Sequence, residues 1–104
     1  MSNSTVVNNP EASRYEISVD AVLAGFADYV DGGEVLVIPH TEVSEGFEGQ
    51  GLAAILVTGM LDDVRANGRV IRPDCPYVAG FLSKHPSYQD LIAGSLDVKA
   101  MPES

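Results

Sequence analysis

Apolar and polar residues alternate from Arg14 to Val19. Tyr15, Ile17 and Val19 fall on one face, Glu16 and Ser18 on the other. A period of two rich in β-branched and aromatic residues predicts a half-buried strand. Asp20 and Ala21 make a tight turn, and Val22 to Val30 predicts a second strand with Phe26 and Tyr29 supplying bulk. Gly25 inside it signals a bulge or a close backbone contact. Asp31-Gly32-Gly33-Glu34 reads as a hairpin turn. Val35 to Ile38 is apolar at every position, which places that strand centrally in a sheet. Pro39 has no N–H and breaks pairing on one side, after which the extended path can resume through His40 to Val43.

From Gly51 the period lengthens. Ala53, Leu56, Val57, Met60, Leu61 and Val64 recur at helical spacing, with Asp62, Asp63 and Arg65 facing water. Gly59 costs this helix up to ~1 kcal/mol against Ala, so it predicts close packing there. Asn67-Gly68 ends the helix. Val70 and Ile71 open a further strand, parallel to the Val35 strand through a right-handed crossover. Pro76 suits the first position of a second helix, which puts Cys75 at or near its N-cap. Val78, Phe81 and Leu82 would bury one face. Lys84 and His85 occupy the last turn and Pro86 stops it. Tyr88, Leu91 and Ile92 form one more helical turn over the core. Residues 1–13, rich in Ser and Asn, predict a disordered tail, and residues 93–104 a frayed one. The pattern therefore predicts one α+β domain over residues 14–92.

The chain has 104 residues, enough for one core. Its net charge of −9 argues against nucleic-acid binding, which needs clustered Lys and Arg, and against anionic membrane surfaces. It favours a cationic partner such as an amine, although acidity also simply keeps proteins soluble. The single cysteine, Cys75, allows no internal disulfide and suits a reducing compartment. The first residues lack the basic and apolar regions of a signal peptide, and no apolar run reaches the ~18 residues of a membrane span. A cytoplasmic protein is expected, as a monomer or weak dimer.

Candidate chemistry concentrates between the Val35 strand and the first helix. Glycines stand at 46, 49 and 51, where strand turns into helix. Free N–H groups at a helix N-terminus, with glycines permitting close approach, bind phosphate. The same glycines also serve strand–helix turns that bind nothing. Gly51 and Ala53 match the last two positions of [Gln/Arg]-x-x-Gly-x-[Gly/Ala], the pyrophosphate signature of the GNAT superfamily of acetyl-coenzyme A-dependent N-acetyltransferases. With His40-Thr41-Glu42-Val43, Cys75-Pro76-Tyr77-Val78 and His85-Pro86-Ser87-Tyr88, the chain resembles the minimal GNAT-like proteins of small size over residues 14–92.

The resemblance implies a truncated GNAT fold. Its mixed, mostly antiparallel sheet has one parallel strand pair splayed for coenzyme A and carries two to three helices. It implies that the pantetheine arm pairs near Val43 and the pyrophosphate sits on Gly49, Gln50, Gly51, Leu52 and Ala53. The thioester end would then lie near Cys75, Pro76 and Tyr77. It implies transfer of an acetyl group to a small-molecule or peptide amine across an open, shallow acceptor surface. One position departs from the signature: Glu48 stands where Gln or Arg is usual, and a solvated carboxylate repels pyrophosphate by ~1 kcal/mol.

Each candidate group also has a plain structural reading. Cys75 could carry an acyl group at a helix N-terminus, with Asp74 opposing the thiolate, or be a small buried hydrophobe. His40 could be a general base, or hold the strand end by hydrogen bonds. Glu42 could deprotonate an amine, or be a solvated carboxylate. Tyr77 and Tyr88 could protonate a leaving thiolate, or simply pack. Arg72 and Lys84 could meet a phosphate, or be solvated charges. Two histidines and one cysteine far apart give no metal site. Two other classes remain beside the enzyme: a non-catalytic acyl-coenzyme A binding module, and an interaction domain without cofactor.

Overall fold

The computed structural model describes residues 3–93. The order is β1 (Ser4–Asn9), β2 (Arg14–Val19), β3 (Val22–Asp31), β4 (Val35–Val43), α1 (Leu52–Ala66), β5 (Val70–Pro73) and α2 (Pro76–Lys84). A 3-10 turn over Pro86–Leu91 follows. The five strands lie in one sheet in chain order. β1 to β4 pair antiparallel, and β4 and β5 pair parallel. This is the mixed sheet with a single parallel pair expected of a small α+β GNAT-like fold. The expected C-terminal tail falls almost wholly outside the described residues.

The expected N-terminal tail is a correction. Ser4–Asn9 forms an edge strand in register with Arg14–Val19. Val6 turns onto the helical face of the sheet, where Gly59 receives it: a Cβ at Gly59 would stand 2.9 Å from the Val6 side chain. The close packing that Gly59 announces is thus made by the stretch read as a tail. A polar, Asn-rich segment became a strand because β2 offers a ladder and α1 offers a notch.

The core lies between the sheet and both helices. Tyr15, Ile17 and Val19 of β2 and Leu36 and Ile38 of β4 face Leu56, Val57, Met60, Leu61 and Val64 of α1, while α2 adds Val78, Phe81 and Leu82. Leu52, not Ala53, begins the buried stripe of α1. Of the side chains expected to face water on α1, Asp63 is half-buried and accepts a 2.6 Å hydrogen bond from Tyr15 Oη.

Two irregularities shape the site. The β2–β3 register shifts between Ile17 and Ser18, where Gly25 sits. A Cβ on Gly25 would stand 2.7 Å from the Glu42 carbonyl, so the glycine serves both as bulge and as close approach. The β3–β4 register shifts between Asp28 and Val30, opposite Pro39. The β4–β5 ladder ends at the Ile38–Pro73 pair.

Candidate functional site

Beyond Ile38 the parallel strands part. The Cys75 N–H donates to the Ile38 carbonyl at 2.8 Å, closing the paired segment. From Pro39 to Val43, β4 keeps β3 on one side and, among the described residues, has no strand on the other. Backbone directions alternate along a strand. The Glu42 carbonyl faces Gly25 of β3, so the peptide groups of Thr41 and Val43 face the gap. The Thr41 N–H reaches the Cys75 sulfur across it.

The glycine-rich loop closes the end of this gap. Gly49 has φ 80° and Gly51, the N-cap of α1, has φ 72°, left-handed conformations that disfavour other residues. Neither glycine has a neighbouring atom within 4 Å of its missing Cβ, so backbone angle rather than space selects them. Among the described residues no side chain caps α1, and no acidic residue lies in its first turn. Its first N–H groups therefore stand free for an anion. A cavity of about 180 Å³ lies over them. Val43 of β4, Phe47, Glu48, Gly49 and Gly51 of the loop, Leu52 to Ala54 of α1 and Tyr77 of α2 line it. A second cavity of about 300 Å³ shares Ala54 and Tyr77 with the first and adds Pro76, Gly80, Phe81, Lys84 and His85.

Cys75 is the N-cap of α2 and is buried. Its Sγ lies 3.5 Å from Thr41 Oγ1. Burial pushes the thiol pKa up, but the Thr41 hydroxyl and the N–H groups of Val78, Tyr77 and Thr41 outweigh it, so the pKa lies below the ordinary value. The expected opposition from Asp74 does not prevail. That carboxylate is exposed and accepts from Arg72 Nε at 3.2 Å.

The remaining candidates separate. His40 Nε2 and Glu42 Oε1 pair at 3.0 Å, with just over half of each side chain exposed. They project from β4 on the face away from Thr41, beside Phe26, whose ring centroid is 6.0 Å from that of His40. No helix packs on that face among the described residues. Tyr88 is not at the site: its hydroxyl donates to Asp62 at 2.7 Å at the far end of α1. Gln50 lies in the loop but does not line the cavity. Thr41, Phe47 and Ala54 are site residues that sequence reasoning passed over. Thr41 had one signal, its place between His40 and Glu42 in a strand, which sets it on their opposite face.

Comparison with known proteins accords with this geometry. A family described as GCN5-related N-acetyl-transferase matches residues 14–91. Among solved structures, the chain is similar to a GCN5-like protein from Staphylococcus aureus described as a candidate N-acetyltransferase. The two are 26% identical with a TM-score of 0.66, over 88% of this chain and 90% of that one. No curated protein matches this chain. No helix among the described residues is long and apolar enough to cross a membrane. A family match spanning three quarters of the sequence, on a sheet that splays beside an uncapped glycine-headed helix, makes this chain a member of the GCN5-related N-acetyltransferase family.

Proposed function

We propose that this chain binds acetyl-coenzyme A and moves the acetyl group to an amine. The observation that carries the reading is one opening where three features meet. These are the uncapped start of α1, the left-handed Gly49 and Gly51, and the strand-free edge of β4 at Thr41 and Val43. Together they suit a long ligand with phosphates at one end and amides along its arm. Backbone N–H groups from Gly49 through Ala53 hold the phosphates, which lets a chain of net charge −9 bind a polyanion. Val43 pairs with the arm, and Cys75, Pro76 and Tyr77 surround its end. When bound, the coenzyme supplies an activated acyl thioester. Backbone N–H groups facing the gap polarise the carbonyl.

The amine approaches from the uncovered face of the sheet, where His40 and Glu42 stand ready to take a proton. Small-molecule or peptide amines fit this open surface. Cys75 has a lowered pKa, so, as an alternative to direct attack by the amine, its thiolate would take the acetyl group with the coenzyme leaving as its thiolate, and the amine would then displace the Cys75 thiolate. A single free thiol of this kind suits the cytoplasm.

Ala53→Glu tests the phosphate site. A carboxylate in the first turn of α1 favours the helix dipole, so folding is kept. Affinity for acetyl-coenzyme A, measured by calorimetry, should fall by about tenfold or more. Equal affinity in parent and variant removes the site. A second reading, a non-catalytic acyl-coenzyme A binding module, is favoured by Glu48, which lines the phosphate cavity. Tight binding with no turnover over a broad amine panel selects that reading.

A further inference from the structure

We propose that β1 is a homodimer seam: two copies of this chain pair their Ser4–Asn9 strands antiparallel about a two-fold axis, joining two five-stranded sheets into one. β1 is the outer strand of its sheet, and among the described residues no strand or helix covers its free edge. The Asp20 N–H donates to the Asn3 carbonyl at 3.0 Å, which marks residue 3 as one that bonds inward to the β2 side. In an antiparallel ladder these pairs alternate, so residues 5, 7 and 9 also bond inward. Ser4, Val6 and Asn8 then aim their N–H and C=O groups outward. An unpaired edge of this kind is a template for another strand.

The strand is matched to itself rather than to an arbitrary partner. It is Ser-Thr-Val-Val-Asn-Asn, with no charge and no proline, in a chain that carries 15 acidic residues. Proteins guard edge strands with charges, proline or bulges, and here those devices are absent. Two copies paired about Val6 place Val6 opposite Val6 and Ser4 opposite Asn8 twice, so no like charges meet between the paired strands although the net charge is −9 and Asp62 lines the adjoining groove. On one face, Val7 is 49% exposed and would pack across the seam against Thr5 of the other copy. On the other, Ile55 of α1 is 43% exposed and shares a groove of about 390 Å³ with Val6 and Gly59. The second helix pair would close over that groove. β1 and the β4–β5 gap lie at opposite edges of the sheet, so the strand pairing at Val7 is separate from the glycine loop.

Sedimentation equilibrium of the full chain should give twice the 11.0 kDa chain mass. Val7→Lys and Ile55→Lys sit on exposed positions. Each should raise the dimer dissociation constant by about tenfold, with unchanged circular dichroism, and Val7→Lys, remote from the glycine loop, should leave acetyl-coenzyme A affinity unchanged. The register has its own test. Residues 5 and 7 of opposite copies form a non-hydrogen-bonded pair about 4.5 Å apart between Cα atoms, within disulfide reach. The doubly substituted Thr5→Cys, Val7→Cys chain should therefore oxidise to a covalent dimer, while either single variant should not. A monomer at every concentration overturns the proposal. So does a dimer that is indifferent to both lysines and is not trapped by the paired cysteines.

Discussion

Cys75 shows how local geometry can reverse the effect of burial. A thiol sealed from water ordinarily ionises less readily, yet here three N–H groups and the Thr41 hydroxyl converge on the sulfur and lower its pKa. Thr41 changes role with charge. The thiol S–H donates to Thr41 Oγ1 across 3.5 Å, and in the thiolate the hydroxyl turns to donate. Thiolate absorbance followed against pH should therefore show Cys75 ionising below an ordinary thiol, and Thr41→Val should move the midpoint upward. A midpoint that does not move leaves the threonine no part in it. The position of Cys75 was legible because Pro76 marks a helix start after a parallel strand. Its partner was not, because the register shift opposite Pro39 decides which residues of β4 face the gap, and only the folded sheet fixes that shift. Glu48 is the second residue to test. It lines the cavity proposed for the phosphates, so Glu48→Gln and Glu48→Arg should each tighten acetyl-coenzyme A binding by a few-fold, and added salt should help the parent more than Glu48→Gln. If neither variant binds better, the carboxylate points away from the phosphates.

At the level of elements, α1 serves the site with its first turn and the core with the rest. Its buried stripe from Leu52 to Val64 anchors the helix, so the start can remain uncapped. The periodicities of β2, β3 and α1 were legible because each element has one wet face and one dry face. Cys75 to Lys84 was legible through its prolines. β1 was not, because its stability is tertiary: a short, polar segment gains order from the edge of β2 and from the notch at Gly59. The β-branched run Thr5-Val6-Val7 was its one local signal. The notch makes a prediction against helix propensity. Ala normally stabilises a helix interior by ~1 kcal/mol over Gly. Gly59→Ala should nevertheless lower the melting temperature, since its Cβ meets the Val6 Cβ and Cγ1 at 2.9 Å. In a Val6→Ala background, which removes both γ methyls and keeps only the Cβ contact, the loss should shrink or reverse. Equal effects of Gly59→Ala in both backgrounds would show that Val6 does not sit in the notch.

Across the whole molecule, the proposed binding of a polyanion is reconciled with acidity by where the charges lie. Among the described residues four arginines are tied to carboxylates: Arg14 to Glu16, Arg65 to Asp90, Arg69 to Asp31 and Arg72 to Asp74. The proposed phosphate site is left to peptide dipoles. The same distribution sets how stability follows pH. Hydrogen bonds from Arg14 and Asn9 hold the Glu16 carboxyl below its usual range, and the Gly33 N–H does the same for Asp31. Their contribution is present above the unfolded carboxylate values and is lost as pH falls through the folded ones. Tyr15 governs the alkaline side. Its ring is buried, and its hydroxyl donates to Asp63 at 2.6 Å, tying β2 to α1. Burial first, and then the bond and charge of Asp63, push its pKa well above the ordinary tyrosine value. The folded chain therefore keeps the phenol proton where an unfolded one, with a pKa of ~10, gives it up. The stability this provides is complete below that value and drains away as pH rises beyond it. Tyr15→Phe removes a hydrogen bond to a charged group and should cost ~1.5–3 kcal/mol at neutral pH. It also removes the group that resists ionisation. Urea unfolding between neutrality and strong alkali should therefore show the parent losing stability more steeply than the variant, so that the two curves converge. Some slope should remain in the variant, because Tyr88 is also raised by its hydrogen bond to Asp62. Two curves that stay parallel across the alkaline range would mean that Tyr15 ionises as freely in the fold as outside it.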